Sequence, residues 1–169
     1  MKGMNIMYNE ESSNLNKDTN IPMYYPEPWG ECIILKDYGP EPLVINIETA
    51  TTQNNTFRTA LWTGEYLQLT LMSINVCDDI GLEVHYDLDQ FIRIEQGKGI
   101  IMMGDTKDNF NFQRNVSEDC VILIPAGKWH NLINTGCVPL KLYSIYAPPA
   151  HPHGTVHRTK EESEMDHEH

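Results

Sequence analysis

The sequence has little positive charge and no long apolar run. Its 169 residues include 12 Lys and Arg against 24 Asp and Glu, which gives a formal net charge of -12. A strongly acidic chain is a poor match for the phosphates of nucleic acids or for anionic membrane surfaces. No apolar stretch approaches the roughly 20 residues that a membrane-spanning helix needs. We therefore expect neither a nucleic-acid partner nor a membrane partner.

The sequence also lacks paired cysteines. A chain of this length can bury a sizeable core without disulfides, and we expect one domain with one core. Residues 1–20 are polar and lack the apolar centre of a signal peptide, so a cytoplasmic protein with reduced thiols is expected. The four cysteines, which form no C-x-x-C pair, are Cys32, Cys77, Cys120 and Cys137.

Short apolar segments separated by turn residues dominate the chain from Phe57 onwards. Gly64-Glu65 is predicted to be a two-residue hairpin loop. Roughly nine or ten such segments and no long helical pattern predict an all-β sandwich or barrel. The clearest predicted strands are Phe57 to Thr63, Tyr66 to Ile74, Gln90 to Glu95, Gly99 to Met103, Phe110 to Arg114, Cys120 to Ile124 and Leu140 to Tyr146.

Before Phe57 the sequence predicts only short elements. Ile33 to Leu35 and Leu43 to Ile47 are strand candidates on either side of a proline-rich turn, and Glu48 to Asn55 fits one helical turn. The segment Ile21 to Gly30 contains three prolines and three aromatic residues. Since proline lacks the backbone donor of a strand, this segment is expected to lie extended on a hydrophobic surface.

The residues that carry chemistry gather in two segments. Glu83 and His85 are two residues apart, so on an extended strand their side chains leave the same face. One face can therefore hold two ligands. His130 follows a short apolar strand and a Pro125-x-Gly127 turn, which places its imidazole at a strand edge after a tight reversal.

These two segments resemble the two motifs of the cupin family, in particular small bacterial cupins without a settled activity. The second motif matches except at its opening glycine, and the first departs where Cys77, Glu83 and Gln90 replace Gly, His and Glu. The positions that carry the resemblance are Cys77, Glu83, His85, Gln90 and Gly97 in the first motif and Asp119, Pro125, Gly127, His130 and Asn134 in the second.

The resemblance implies an all-β double-stranded β-helix, the jelly-roll barrel of cupins, with extra N-terminal strands. The barrel would span residues 66–148. Residues 1–20 would be a loosely attached arm, residues 21–65 an extension with added strands, and residues 149–169 a C-terminal loop and tail.

The resemblance also implies a metal site inside the barrel, with Glu83, His85, Gln90 and His130 as its ligands. Two imidazoles and one carboxylate suit a divalent transition metal such as Fe, Mn, Zn, Ni or Co, and Gln90 would be a weak neutral fourth ligand. Asp87 is a rival carboxylate, although a register that uses it leaves too few residues before Gln90. A barrel without metal, in which the two histidines join a polar network, is the other interpretation.

Three functions are compatible with such a site. A metal-dependent oxygenase or isomerase would act on a small polar or anionic molecule inside the barrel. A non-catalytic module would bind the same kind of small-molecule ligand, and a structural or assembly cupin would need no metal. Fold does not choose among them. The resemblance and the surplus of apolar strand surface predict a homodimer.

Several other polar residues receive structural interpretations. Asn134 belongs to an Asn-Thr-Gly turn, where a structural role is expected. Arg93 and Lys141 alternate with apolar neighbours and are expected to point outward. Residues 147–157 are predicted to form no helix or strand, residues 158–169 are expected to fray, and a surface loop is expected to carry His151, His153 and His157.

Overall fold

The computed structural model describes residues 32–167. The predicted arm at residues 1–20 and the proline-rich segment up to Gly30 lie outside the described residues. In chain order the elements are α1 (Ile47–Gln53), β1 (Arg58–Thr63), β2 (Gln68–Ile74), β3 (Asp89–Gln96), β4 (Lys98–Gly104), β5 (Phe112–Ser117), β6 (Val121–Ile124), β7 (Trp129–Asn134), β8 (Leu140–Ala147), β9 (Val156–His157) and α2 (Lys160–His167).

The strands form two antiparallel sheets that face each other. The larger sheet has six strands in the order β6-β3-β8-β2-β1-β9, and the smaller has three in the order β5-β4-β7. Several neighbours in these orders, such as β3 and β8 or β2 and β8, are far apart in the chain, as in a jelly roll, where strands of the two halves interleave. The expected all-β double-stranded β-helix is confirmed. Neither helix of the described range is long and apolar enough to cross a membrane.

The interior of the barrel is apolar at one end and polar at the other. At the apolar end Ile94 of β3 pairs with Leu142 of β8, and both are fully buried. At the polar end Tyr146 of β8 pairs with Gln90 of β3 and with Gln68 of β2, and all three are buried. Paired residues of antiparallel strands point to the same face. A polar layer therefore lines one end of the barrel, where a ligand can be held.

A second hydrophobic cluster covers the outer face of the six-stranded sheet, so the expectation of one core was wrong. Ala50 of α1 packs with Leu61 of β1 and Leu71 of β2, and all three are fully buried. The N-terminal segment contributes Ile33 and Leu35 to the same cluster. Strand alternation places apolar residues on both faces of the sheet, and a second layer is needed to bury the outer ones.

The strands predicted at Ile33 to Leu35 and Leu43 to Ile47 are not formed. The backbone of Ile33 is satisfied instead by the side chain of Gln53, which accepts from the Ile33 nitrogen at 3.0 Å and donates to its carbonyl at 2.5 Å. The predicted helical turn is present as α1. The added strand of the 21–65 extension that the structure describes is therefore β1 alone.

The turn between β1 and β2 is longer than predicted. Residues 64–67 connect the two strands, and the nitrogen of Gly64 donates to the carbonyl of Leu67 at 2.9 Å. The prediction of a two-residue loop at Gly64-Glu65 was therefore wrong.

Lys141 points away from the barrel interior, as expected, yet it is buried. Its Nζ donates to the carbonyls of Thr52 and Asn54 at 2.6 and 2.7 Å and to Oδ1 of Asn55 at 3.0 Å. These acceptors lie at the C-terminal end of α1, where a positive charge favourably meets the helix dipole. Lys141 thus anchors α1 to the sheet. Arg93, which was also predicted to point outward, is half-exposed and pairs with Glu95 and Asp119.

Up to His167 the C-terminal segment forms β9 and α2, in contrast to the predicted loop and fraying tail. β9 pairs with β1 at the edge of the six-stranded sheet, and α2 follows at once. Ser163 of α2 accepts a hydrogen bond from Arg58 Nη1 at 2.6 Å, and Asp166 lies 2.7 Å from His157 Nε2. These contacts hold α2 over one end of the barrel.

Candidate metal centre

The first ligand segment is held in place by hydrogen bonds to β7. Glu83 and His130 form a bridge in which each backbone nitrogen donates to the other residue's carbonyl, at 3.1 and 2.9 Å. The nitrogen of Ile80 donates to the carbonyl of Leu132 at 3.1 Å, and the nitrogen of Asn134 donates to the carbonyl of Asp78 at 2.9 Å. Residues 78–83 therefore run antiparallel to β7, although only isolated bridges form there. Opposed residues share a face, so the side chains of Glu83 and His130 point the same way.

His85 is fixed from its backbone by the turn that precedes β7. Its carbonyl oxygen accepts a hydrogen bond from the nitrogen of Gly127 at 2.6 Å. Gly127 has a φ of 79°, a backbone conformation that residues with a side chain rarely adopt. This explains why the Pro-x-Gly turn carries glycine at this position. The turn predicted from the sequence thus joins the two ligand segments.

Three side chains converge on a common point. The candidate ligand atoms of Glu83, His85 and His130 all lie within 4.8 Å of one another, a separation that one ion can bridge. Glu83 Oε1 is 3.1 Å from His130 Nε2 and 3.6 Å from His85 Nε2. The side chain of His130 is fully buried, while those of Glu83 and His85 are 18% and 19% exposed. The cluster is therefore anchored inside and opens toward a cavity on one side.

The hydrogen bonds of His130 fit a cation between the ligand atoms. Its Nδ1 lies 2.9 Å from the carbonyl oxygen of Lys128, which can only accept, so Nδ1 carries a proton. In a neutral ring Nε2 then presents a lone pair to the carboxylate oxygen of Glu83. Two lone pairs 3.1 Å apart repel each other unless a proton or a metal ion lies between them. A ring held by a backbone carbonyl in this way is the common arrangement of a metal-bound histidine.

His85 supplies the second observation that fits a metal. Its Nε2 is buried and has no hydrogen-bond partner among the described residues, while it lies near the carboxylate of Glu83. A buried polar atom without a partner is costly. One carboxylate and two imidazole nitrogens are also a donor set that divalent transition metals accept. The residues present therefore fit such an ion.

The carboxyl of Glu83 is anionic at neutral pH. Burial by itself raises its pKa, but the neighbouring imidazoles of His130 and His85 outweigh burial and hold the pKa well below its usual value. The positive charge of Arg58 lowers it further. A deprotonated carboxylate is the form that coordinates a metal.

Gln90 and Asp87 differ sharply in position. Gln90 is buried in the polar layer, where its Nε2 donates to Ser144 Oγ at 3.0 Å and its Oε1 has no partner among the described residues. A free amide oxygen suits the weak fourth ligand, which stays a prediction. Asp87 is exposed and does not belong to the cluster of Glu83, His85 and His130. The preference for Glu83 over Asp87 agrees with this geometry.

Aromatic rings connect the cluster to the C-terminal segment. The ring centroids of His85 and Tyr146 are 5.7 Å apart, and those of Tyr146 and His151 are 5.2 Å apart. His157 follows at 6.5 Å from His151. The prediction of a surface loop was therefore wrong for His151 and His157, which are buried, and holds for the exposed His153. The later strands and α2 fold back onto the barrel, which the local sequence does not indicate.

A cavity of about 530 Å³ lies beside the cluster. Glu83, His85 and Trp129 line one side, and Arg58 and Ser163 line another. Arg58 was missed in the sequence. Its position between Phe57 and the apolar part of a strand could have identified it. A lone charge in an apolar strand either reaches solvent or serves a buried site.

Asn134 is structural, as predicted. Its Nδ2 donates to the carbonyls of Ile74, Asn75 and Val138 at 2.9 to 3.1 Å, and its Oδ1 accepts from the nitrogen of Gly136 at 2.9 Å. These bonds tie the end of β2 to the turn after β7. Asn134 therefore supports the strand that carries His130.

Comparison with known proteins identifies relatives over most of the chain. The family model described as "Cupin domain" matches residues 70–146. The uncharacterized protein YrkC of Bacillus subtilis is 67% identical over 128 residues, which cover 76% of this chain and 69% of that protein. An uncharacterized protein of Acanthamoeba polyphaga mimivirus is 41% identical over 114 residues, covering 67% of this chain and 69% of that protein. The crystal structure of BH2720 from Bacillus halodurans is similar with a TM-score of 0.76 and 61% identity, covering 77% of this chain and 98% of that chain.

Proposed function

Because this chain belongs to the cupin family, we propose that it binds a divalent transition metal through Glu83, His85 and His130 and holds a small polar or anionic molecule beside that metal. The observation that carries the proposal is the convergence of these three side chains within 4.8 Å. A proton-bearing Nδ1 on His130 and a partnerless Nε2 on His85 support it. Gln90 is proposed as a neutral fourth ligand.

Backbone contacts position the proposed ligand residues. The backbone bridge between Glu83 and His130 sets the spacing of two ligands before any ion binds. The carbonyl of Lys128 orients the His130 ring, and Gly127 fixes the backbone of His85. Such preorganisation lowers the entropy cost of coordination. Three or four protein ligands would leave a position for an oxygen of the bound molecule.

A small molecule would enter through the cavity of about 530 Å³, a size that suits a small-molecule site. Trp129 and Ile80 provide apolar walls, and Arg58 provides a positive charge. A divalent metal at the centre supplies Lewis acidity to a coordinated oxygen of that molecule.

Elemental analysis of untagged protein tests the metal. The wild type is expected to retain about one Fe, Mn, Zn, Ni or Co ion per chain, and His130→Ala to retain far less. His153→Ala is the matched control, because His153 is exposed and lies outside the ligand cluster. A wild type without transition metal, or His130→Ala with wild-type metal content, would contradict the proposal.

Catalysis is a second, separate hypothesis. An oxygenase would consume dioxygen and an isomerase would convert a sugar phosphate, in both cases only with metal bound and with His130 intact. Metal retention together with no turnover of sugar phosphates, thiols or aromatic diols would favour the non-catalytic binding module. A metal-free protein would favour the structural cupin.

A further inference from the structure

Arg58 is a buried cation whose guanidinium carbon lies 5.5 Å from the ring centroid of Phe57. It lies on β1, faces the barrel interior opposite Met72, and is 1% exposed. A guanidinium has five N–H donors. In residues 32–167 its Nη1 donates to Ser163 Oγ at 2.6 Å, while its Nε is buried without a partner. The Nε–H of Arg58 therefore has no acceptor among residues 32–167.

Within residues 32–167, no acidic side chain forms an ion pair with Arg58. None of the ion pairs among the described residues involves it. Taking a charge out of water is costly unless the charge is paired and hydrogen-bonded, so a bound anion would relieve this cost. Arg58 and Glu83 line the same cavity, so the two charges share one region of it.

The other cation of the cavity is already engaged. Lys160 of α2 lies 3.2 Å from Asp78 and 2.8 Å from Asp79. The carboxylate of Glu83 faces His85 and His130. Among the described cavity residues, Arg58 is therefore the cation that remains to receive an anion.

We propose that Arg58 binds the carboxylate of a small organic acid, which spans the cavity and reaches the centre of Glu83, His85 and His130 with a second oxygen. The inference rests on the proposed function only for that second contact. The fork of a guanidinium matches a planar carboxylate with two parallel hydrogen bonds. Arg58 and the ligands line the same cavity of about 530 Å³, so one small molecule can touch both.

A carboxylate fits this cavity better than a phosphate group. One unpaired guanidinium balances the single charge of a carboxylate, whereas a phosphate dianion calls for further donors. Lys160 has its charge balanced by Asp78 and Asp79, and the chain as a whole is strongly acidic. Phosphate binding is thus an outcome that the experiment must distinguish.

Calorimetric titration of the full chain tests the inference. Glycolate, malonate, succinate and inorganic phosphate are titrated into Zn²⁺-loaded and metal-free protein. The variants are Arg58→Met, which keeps the volume and removes the charge, and Arg58→Lys, which keeps the charge and loses the fork. Arg93→Met is the matched control, because Arg93 is half-exposed and pairs with Glu95 and Asp119 outside the cavity. Circular dichroism verifies that each variant is folded.

We expect at least one of the three acids to bind the wild type and Arg93→Met equally. Binding to Arg58→Met is expected to be about tenfold weaker or more, with Arg58→Lys between the two. Zn²⁺ affinity of Arg58→Met should be unchanged or higher, because a positive charge near Glu83 has been removed. If Arg58→Met does not fold, Arg58→Lys decides by the same comparison.

Three results would overturn the inference: no acid binds the wild type, the Arg58 variants bind the acids as tightly as the wild type, or phosphate alone binds. Failure of the metal proposal looks different. In that case Zn²⁺ does not bind, yet the metal-free wild type still binds an acid and Arg58→Met does not.

Discussion

Glu83 and His130 are joined twice, by a pair of backbone hydrogen bonds and by the approach of Oε1 to Nε2 at 3.1 Å. The backbone bridge fixes the distance between two residues that are far apart in the chain. Because antiparallel partners share a face, no rotation of either segment is needed for their side chains to meet. The spacing of these two candidate ligands is therefore set by backbone pairing.

Glu83→Gln tests the carboxylate ligand. The amide keeps the shape of the side chain and loses the negative charge, so we expect the affinity for Zn²⁺ or Mn²⁺ to fall by at least about tenfold. Competition titration with a chromophoric chelator measures the affinity. Asp87→Asn removes a charge from an exposed neighbour and should leave the affinity unchanged. Equal losses in both variants would mean that general charge, and not coordination, governs binding.

Gln90→Glu tests the fourth ligand. Gln90 lies opposite Tyr146, whose ring contacts His85, and its Oε1 has no partner among the described residues. A carboxylate in this place should raise the affinity for Mn²⁺, because hard divalent cations favour anionic oxygen ligands. The same chelator competition measures it, with Gln113→Glu on the exposed face of β5 as the control. An unchanged or lower affinity would remove Gln90 from the ligand set.

The sequence predicted those features of the candidate site that depend on local spacing. Local spacing predicted that Glu83 and His85 share a face and that His130 follows the Pro-x-Gly turn. The resemblance to cupins implied that these side chains meet. Each of the local features is set within a few residues, by strand periodicity or by a backbone conformation that only glycine accepts readily. The jelly-roll arrangement came from the resemblance, since alternation alone does not specify the order of strands.

The parts that the sequence did not predict depend on distant packing. Lys141 is recognisable as the anchor of α1 only once α1 lies on the outer face of the sheet. Arg58 acquires its partner from Ser163 of α2, at the far end of the chain. His151 looked like a loop residue because prolines surround it, whereas its contact with Tyr146 buries it. Propensity carries no information on such contacts.

Lys141→Met tests the anchor of α1. The variant leaves the carbonyls of Thr52 and Asn54 without their donor, and we expect it to lower the free energy of unfolding by about 1–3 kcal/mol. Urea unfolding followed by circular dichroism measures this. Lys107→Met, at an exposed position, should have no effect. Metal affinity should stay at the wild-type level in both, since Lys141 lies on the face of the sheet away from the centre. A stable Lys141→Met would show that apolar packing alone holds α1.

The predicted homodimer is tested by sedimentation at micromolar concentration. β6 carries large apolar side chains on its outer face, and Leu123 is 67% exposed in the single chain. Burial of such a residue between two copies would be favourable. The wild type is expected to sediment as a dimer and Leu123→Lys as a monomer, with Val44→Lys, at another exposed apolar position, remaining a dimer. A wild-type mass of one chain would contradict the prediction.

Asp37 is expected to make stability depend on pH in the acid range. Its carboxylate accepts hydrogen bonds from Thr63 Oγ1 at 2.6 Å, from the nitrogen of Gly154 at 2.9 Å and from that of Gly39 at 3.0 Å. Burial by itself raises the pKa of Asp37, but these bonds and the nearby His153 outweigh burial and lower it. The carboxylate thus joins the N-terminal segment, β1 and the loop before β9.

A group whose pKa is lowered by folding stabilises the protein above the pKa of the unfolded chain, about 3.9, and loses this contribution as the pH falls through the folded value. Asp37→Asn should therefore be less stable than the wild type at pH 7 by about 1–2 kcal/mol. The difference should persist down to about pH 5 and shrink as the pH falls below about 4. Urea unfolding at a series of pH values measures it, with Asp108→Asn, at an exposed position, as the control. A difference that is constant down to pH values well below the carboxyl range would show that the amide disturbs packing rather than removing a charge.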